Sequence, residues 1–585
     1  MNIKGLLTAM KKADPNAKTY QLKTDFAFDG LREYPRPQLQ RGAYINLNGK
    51  WDFSIKDQDG RIIEEGQIQV PFSPETMASG TKMHTLQKNQ VLEYKRQLVI
   101  DKIKGKKRLL LHFGAVDQIA TVTVNGQEIG SHAGGYTAFS FDITDYIFEG
   151  VNDLSVKVID TLDSKGYARG KQSYSPEGMW YSAQSGIWQT VWMEWVPKSY
   201  VKAVRAIPHI NQDGLELVLK VSKLKDSIEI KSPIAGLIES VERLDSQEEN
   251  QLRFWLKLKD YQLWSPDNPQ LYFLNITYGK DSFSTYFAMR EFSTGADDRG
   301  YQRILLNGQP IFLNGILDQG YYPESLMTPP SDAAMLNDLE VIKSLGFNMI
   351  RKHCKLEPMR WYFHCDRLGL IVWQDIVNGG LAYNMNMICS LPTVFKPWQR
   401  TSDTKKSLWK HTGRYTEESR QLWFKEAKEM LEQLINVPSV GLWTIFNEGW
   451  GQFEGEKCLD FAKSIDDSRL YDLGSGWFKQ TATDVVSDHI YFDALRAKKT
   501  DKPYVISEYG GYSLKINGHV SRDAIYGYKN FDSMEGLSDA YQETMAKIKS
   551  LENQGLCGAV YTQTTDIMDE LNGLMTYDRK VQKVY

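Results

Sequence analysis

At 585 residues the chain is too long for one hydrophobic core, so two to four domains are expected. Its 42% hydrophobic and 24% charged residues describe an ordinary globular protein, and a net charge of −3 gives no electrostatic case for nucleic acid or an anionic membrane as the main partner. The five cysteines (Cys354, Cys365, Cys389, Cys458, Cys557) include no C-x-x-C pair, which argues against a disulfide framework or zinc site and for reduced thiols in a cytoplasmic home.

The opening "MNIKGLLTAMKKADPNAK" lacks a proper apolar core and a small-residue cleavage site, so no signal peptide is read there. No run approaches the roughly 20 apolar residues that span a bilayer. From about residue 20 to 198, short segments such as "KRLLLHFGAV", "IATVTVNGQEIG" and "DLSVKVID" alternate with turn signals, Asn125-Gly126 among them. Regularly spaced strands without helical periods predict a sandwich or jelly roll. The pattern continues in "LELVLKVSKL", "LRFWLKLKDY", "LYFLNITYG" and "FSTYFAMREF", enough for one immunoglobulin-like sandwich. Aromatic residues are abundant (15 Trp, 31 Tyr, 24 Phe), which suits β cores and also stacking on sugar rings.

After about residue 294 the period changes. Strand-like "PIFLNGIL", "NMIRKH", "LIVWQDI", "SVGLWTIFNE", "LYDLGS", "VVSDHIY", "PYVISE" and "CGAVYTQ" mostly alternate with amphipathic helices, the first opened by a Ser331 or Asp332 cap. Eight such units specify a closed parallel barrel. The expected architecture is thus multidomain: a β jelly roll over 1–198, an immunoglobulin-like β-sandwich over 199–293 and a (β/α)8 TIM barrel over 294–585. The segment 376–415 breaks the rhythm and reads as a long loop at the strand ends, able to gate an entrance or meet another subunit.

Glu448 and Glu508 each follow a nearly continuous apolar run, at the C-terminal ends of the fourth and seventh barrel strands. Charge inside such a run is expensive, and this is the face on which barrel enzymes place their chemistry. Two carboxylates presented into one mouth, about 5 Å apart, are what glycoside hydrolysis with retention requires. Arg351, ending the second strand, could lower the pKa of one of them.

The motifs "WTIFNEGWGQ" and "PYVISEYGGY" resemble the two catalytic motifs of glycoside hydrolase family 2, the β-galactosidase, β-glucuronidase and β-mannosidase family. "YINLNGKWDFSI", "VPFSPET" and "RLLLHFGAVDQIATVTVNGQEIGSHAGGYTAFSFDIT" are similar to its sugar-binding jelly roll, and "LGFNMIRKHCKLEPMRWYFHCDRLGLIVWQD" to its barrel. The resemblance implies Glu448 as general acid/base, Glu508 as nucleophile and Asn447 as partner of the sugar 2-hydroxyl, with Tyr509 beside the nucleophile. It implies an exo-acting retaining β-glycosidase, with β-galactosides the default and β-glucuronidase, β-mannosidase and α-L-arabinosidase as alternatives. A non-catalytic carbohydrate-binding protein is the reading from a different class.

The chain departs from the family at Gln319-Gly320, Gln374-Asp375 and Cys354, positions that shape the sugar pocket and, in some members, a magnesium site. No cofactor or metal is therefore expected. The Asn-x-Lys pattern of β-glucuronidases is absent after Asn572, although Lys515 and Arg522 could substitute. Asp318, His353, Asp375, Trp443, Trp477, His489 and Tyr491 lie near other strand ends as candidate sugar contacts. Tyr561, Gln563 and Asp566 are further candidates from the last strand. The jelly roll is expected to pack on the barrel without touching sugar, and a homo-oligomer is a prior rather than an inference.

Overall fold

The computed structural model describes residues 17–105, 107–224 and 227–585, so most of the opening segment lies outside the described residues. The first sandwich sets a six-stranded antiparallel sheet against a four-stranded one. Along Gly150–Ile159 the buried residues Leu154, Val156 and Val158 alternate with more exposed neighbours, the period a half-buried strand requires. They join Trp51, Tyr94, Leu111 and Val122 in one core.

The second sandwich pairs a sheet of four strands between Val201 and Leu258 with another built from Ile228–Lys231, Tyr272–Tyr278 and Asp281–Phe287. The fourth strand of that other sheet is Gln40–Arg41, placed with the jelly roll by sequence but paired here with Ser284 and Phe283. Arg41 explains the attachment. Its guanidinium reaches Asp281 of the second sandwich and Glu194 of the first, each at 2.8 Å, and so ties the two together.

The strand Phe292–Ala296 straddles the expected start of the barrel. Phe292 packs under the barrel floor with Leu313, Met349 and Leu442, so the hairpin it begins closes the lower end.

The barrel strands are β1 (Leu313–Asp318), β2 (Met349–Lys352), β3 (Ile371–Asp375), β4 (Val440–Asn447), β5 (Leu470–Ser475), β6 (Val486–Ile490), β7 (Tyr504–Gly510) and β8 (Leu556–Thr562). They form one parallel sheet in the order β5-β4-β3-β2-β1-β8-β7-β6. The ends return to each other: Asp484 N, just before β6, donates to Tyr471 O of β5 at 2.9 Å. Helices α1 (Asp332–Ser344), α2 (Met359–Leu368), α3 (Glu417–Leu434), α4 (Gly455–Ile465) and α5 (Met534–Glu552) surround the sheet. Ser331, Thr416 and Ser533 cap α1, α3 and α5 through their side-chain oxygens. The Ser533 cap starts α5 ahead of the segment its apolar period marks.

Strand alternation then decides which side chains face the mouth. On β2, Met349 joins the barrel interior while Ile350 joins the helix layer. Arg351 accordingly points inward, and Lys352 points outward over the ring of Trp361 on α2.

Several buried carboxyls lie within the jelly roll and where it meets the barrel. Burial pushes Glu75 up to about 8, and Asp160 and Glu426 up to about 7. Glu426, on α3, accepts from the Ala168 backbone of the first sandwich at 2.9 Å. These groups keep a proton in the native state that the unfolded chain releases near pH 4. Their stabilisation is greatest below the unfolded value and is lost as pH rises through the folded one. We expect the thermal midpoint to fall by about 5 °C between pH 5 and pH 8. Differential scanning fluorimetry would show the slope, and Glu75→Gln should flatten it.

Candidate active site

Two local irregularities aim the acids. β7 carries a register shift between Ile506 and Tyr509 against β8, and β6 shifts between Asp488 and His489 against β7. Ile506 and Tyr509 both face the helix layer, so the extra residue of this bulge turns Ser507 and Glu508 inward together. Glu448 follows β4 with φ 50°, a left-handed conformation that non-glycine residues adopt rarely and that turns its side chain into the mouth. Its backbone N–H is held by Ser475 O at 2.9 Å.

The two carboxylates meet across His489. The imidazole Nδ1 lies 2.7 Å from Glu448 Oε1, and Nε2 lies 3.4 Å from Glu508 Oε1. Ligand atoms of all three residues fall within 4.8 Å of one another, so the carboxyl groups are separated by about the width of an anomeric centre. A divalent ion could bridge such a set. Here both imidazole nitrogens already face carboxylates, and a guanidinium occupies Glu508.

That guanidinium is Arg351, fully buried. It donates to Glu508 Oε1 at 3.0 Å, to Asn447 Oδ1 at 2.8 Å, and to both oxygens of Asp375 at 3.1 and 3.0 Å. His353 packs against the same Asp375 carboxylate at 2.6 Å. Tyr491 donates to Glu508 Oε2 at 2.5 Å and is stacked on Tyr528, ring centroids 3.8 Å apart. Burial alone would raise the Glu508 pKa. His489, Arg351 and His353, with the Tyr491 hydrogen bond, outweigh it and hold the carboxyl below its ordinary range. Glu508 is thus kept ionised.

A cavity of about 270 Å³ opens onto Glu448, His489, Tyr491 and Trp477, with Met179, Cys389 and Tyr526 on other sides. Trp477 meets His489 edge to face and donates to Ile388 O at 2.9 Å, so the 376–415 segment forms a wall of the cavity.

Glu448, Glu508, Asn447, Arg351, His353, Asp375, Trp477, His489 and Tyr491 are therefore brought together. Gln563 lies beside them, bonded to Gln319 at 2.6 Å and Asn572 at 2.8 Å. Two expected contacts are corrected. Asp318 is ion-paired with the outward Lys352 behind the sheet, and the Tyr509 hydroxyl reaches Met545 of α5. Both sit on strand faces turned to the helices.

Trp443, Tyr561 and Asp566 are corrected likewise. Trp443 and Tyr561 pack in the helix layer, and Asp566 pairs with Lys583 at 2.6 Å. Lys515 pairs with Asp523, and Arg522 with Asp569 at 3.2 Å. Sequence reasoning missed Lys171, Tyr181, Tyr526, Tyr528 and Glu570. Only the spaced aromatics of "YGYKN" offered a signal.

Residues 73–197 match the glycosyl hydrolases family 2 sugar binding domain, and residues 299–584 match the TIM barrel domain of the same family. The chain belongs to glycoside hydrolase family 2. Among curated family members, a candidate β-glucuronidase of Formosa agariphila is 25% identical over 82% of this chain and 57% of its own length. A β-galactosidase of Thermoanaerobacter pseudethanolicus is 23% identical over 84% of this chain and 63% of its own, so the chain covers less than two thirds of either relative.

Solved structures are alike over nearly their whole length. A family 2 β-galacturonidase from Eisenbergiella tayi superposes with TM-score 0.68 at 20% identity, covering 94% of this chain and 96% of that one. A Ruminococcus gnavus β-glucuronidase gives TM-score 0.70 at 18% identity over 94% and 98%. At these identities the likeness is one of fold: a mostly-sheet N-terminal region followed by an eight-stranded parallel barrel.

Proposed function

We propose that the chain is an exo-acting β-glycosidase that works by double displacement with retention of configuration. The observation that carries this reading is the pair Glu448 and Glu508, facing each other with oxygens within 4.8 Å at the mouth of a parallel barrel. Inverting enzymes need a wider gap to admit water beside the sugar.

Glu508, kept ionised by Arg351, Tyr491 and His489, attacks the anomeric carbon. Glu448 gives its proton to the departing oxygen and later removes one from water. Asn447, fixed by Arg351, is placed to hold the sugar 2-hydroxyl as positive charge grows on the ring. A walled cavity rather than an open groove favours release of terminal sugars.

β-Galactosides head the candidate substrates and β-glucuronides are the runner-up, because curated relatives carry both names. The test is twofold. NMR of the first-formed product should show the β anomer, and a 2-deoxy-2-fluoro glycoside should label Glu508 in a peptide digest. An α first product, or a label elsewhere, would overturn the assignment.

A further inference from the structure

The jelly roll sends a cation toward the catalytic carboxylates. Gly170 adopts φ 56°, and a Cβ added there would lie 2.5 Å from the Cys354 carbonyl, so only glycine lets the loop sit this close to the barrel mouth. The Arg169 and Gly170 backbone N–H groups both donate to Asn378 O, at 3.0 and 2.9 Å. The next residue, Lys171, is thereby delivered beside the barrel mouth, close enough to feel the charges of Glu508 and Glu448, its own carbonyl accepting from Tyr181 N at 2.9 Å.

The Lys171 ammonium is buried, and among the described residues its one ion-pair partner is Glu570 Oε2 at 3.7 Å, too long for a hydrogen bond. Glu570 comes from the loop after β8. Its Oε2 is already taken by Tyr181, with Gln319 at 3.3 Å and Gln563 at 3.4 Å, whereas no hydrogen bond to Oε1 is made among the described residues. Tyr526, which lines the cavity, pairs through its backbone with Glu570. Donors on the Lys171 ammonium and an acceptor on Glu570 are therefore left unused close to the catalytic acids.

We propose that Lys171 and Glu570 form a specificity-determining ion pair that grips two neighbouring hydroxyls of a neutral hexopyranoside and disfavours a hexuronide. One hydroxyl oxygen accepts from the ammonium, and the adjacent hydroxyl donates to Glu570 Oε1. This rests on the glycosidase reading above and narrows it.

The reason is charge balance. Burial alone would push the lysine toward its neutral form, but Glu570, with Cys354, Glu508 and Glu448 beyond it, holds the ammonium charged. Lys171 is thus already neutralised by protein carboxylates. A substrate carboxylate brought beside it would face Glu570 and the catalytic acids, and repulsion between like charges is strong where water is excluded. Hydroxyls add no charge and fill the unused donors and acceptor.

The test compares p-nitrophenyl β-hexosides with p-nitrophenyl β-hexuronides on the intact protein. The expected result is kcat/KM at least about 100-fold higher for a neutral hexoside, the scale of a buried charged contact. A hexuronide preferred over every neutral sugar would overturn the ion-pair assignment and leave the glycosidase reading intact. No turnover on any sugar would remove both.

Lys171→Met supplies the second arm, with circular dichroism confirming the fold. It should lose about 30-fold or more on the full sugar, but less than about 3-fold on the deoxy sugar lacking the gripped hydroxyl. Equal losses on every deoxy sugar would overturn the contact.

Discussion

Replacing Glu508 by Gln should reduce turnover of aryl β-glycosides by about 10⁴-fold or more, because the amide cannot form the glycosyl ester on which double displacement depends. The fold should survive. Glu508 is one partner of Arg351, and the amide oxygen can still accept from that guanidinium while Asp375 keeps its two bonds. Glu508→Ala opens space for a small anion. Azide should then restore part of the rate on an activated substrate and yield the α-glycosyl azide, since the anion attacks from the nucleophile's side.

Glu448→Ala should behave differently. A leaving group that needs no proton should still depart quickly, and azide should speed the second step and give the β-glycosyl azide. The two products, separable by NMR, assign the roles without reference to any relative. If both variants gave the same anomer, or kept more than about a tenth of parental turnover, the pairing across His489 would not be a catalytic one.

The fold was legible because its signals are local. Period-two strands, the helix cap at Ser331, and apolar runs ending in acids are all readable in short windows. The acids were legible because two of them follow apolar runs at strand ends of one barrel, each flanked by aromatics and glycines. Tyr509 and Asp318 were misplaced because strand facing depends on register. A one-residue bulge at Ser507–Glu508 leaves Tyr509 on the outer face, and no composition signal marks it.

Lys171 was missed for a different reason. It belongs to the jelly roll in sequence but pairs with Glu570 of the barrel in space, and Met179 of the jelly roll lines the cavity, so the expectation that the jelly roll stays clear of the site is corrected. Contacts between domains leave no periodic trace.

Arg351→Met should be the most damaging change outside the two acids, in stability and in rate. The guanidinium holds four acceptors at once: Asp375, Glu508, Asn447 and the Ser507 carbonyl. Removing it leaves Asp375 with His353 and Glu508 with His489 and Tyr491 but no guanidinium, and stranding a buried charge costs about 3–5 kcal/mol. The barrel's denaturant midpoint should drop accordingly.

A purely structural role would stop there. A role in the chemistry predicts two further effects. kcat should fall by about 10²-fold or more as Asn447 and Glu508 lose their orientation. The acid limb of the kcat/KM profile should also move to higher pH, because the charge that helped to keep Glu508 below its ordinary range is gone. Arg351→Lys keeps the charge but not the planar fork, so it should recover much of the pH limb and little of kcat. An unshifted limb in Arg351→Met would mean that Arg351 only braces the barrel, with His489 and His353 setting the ionisation of the nucleophile.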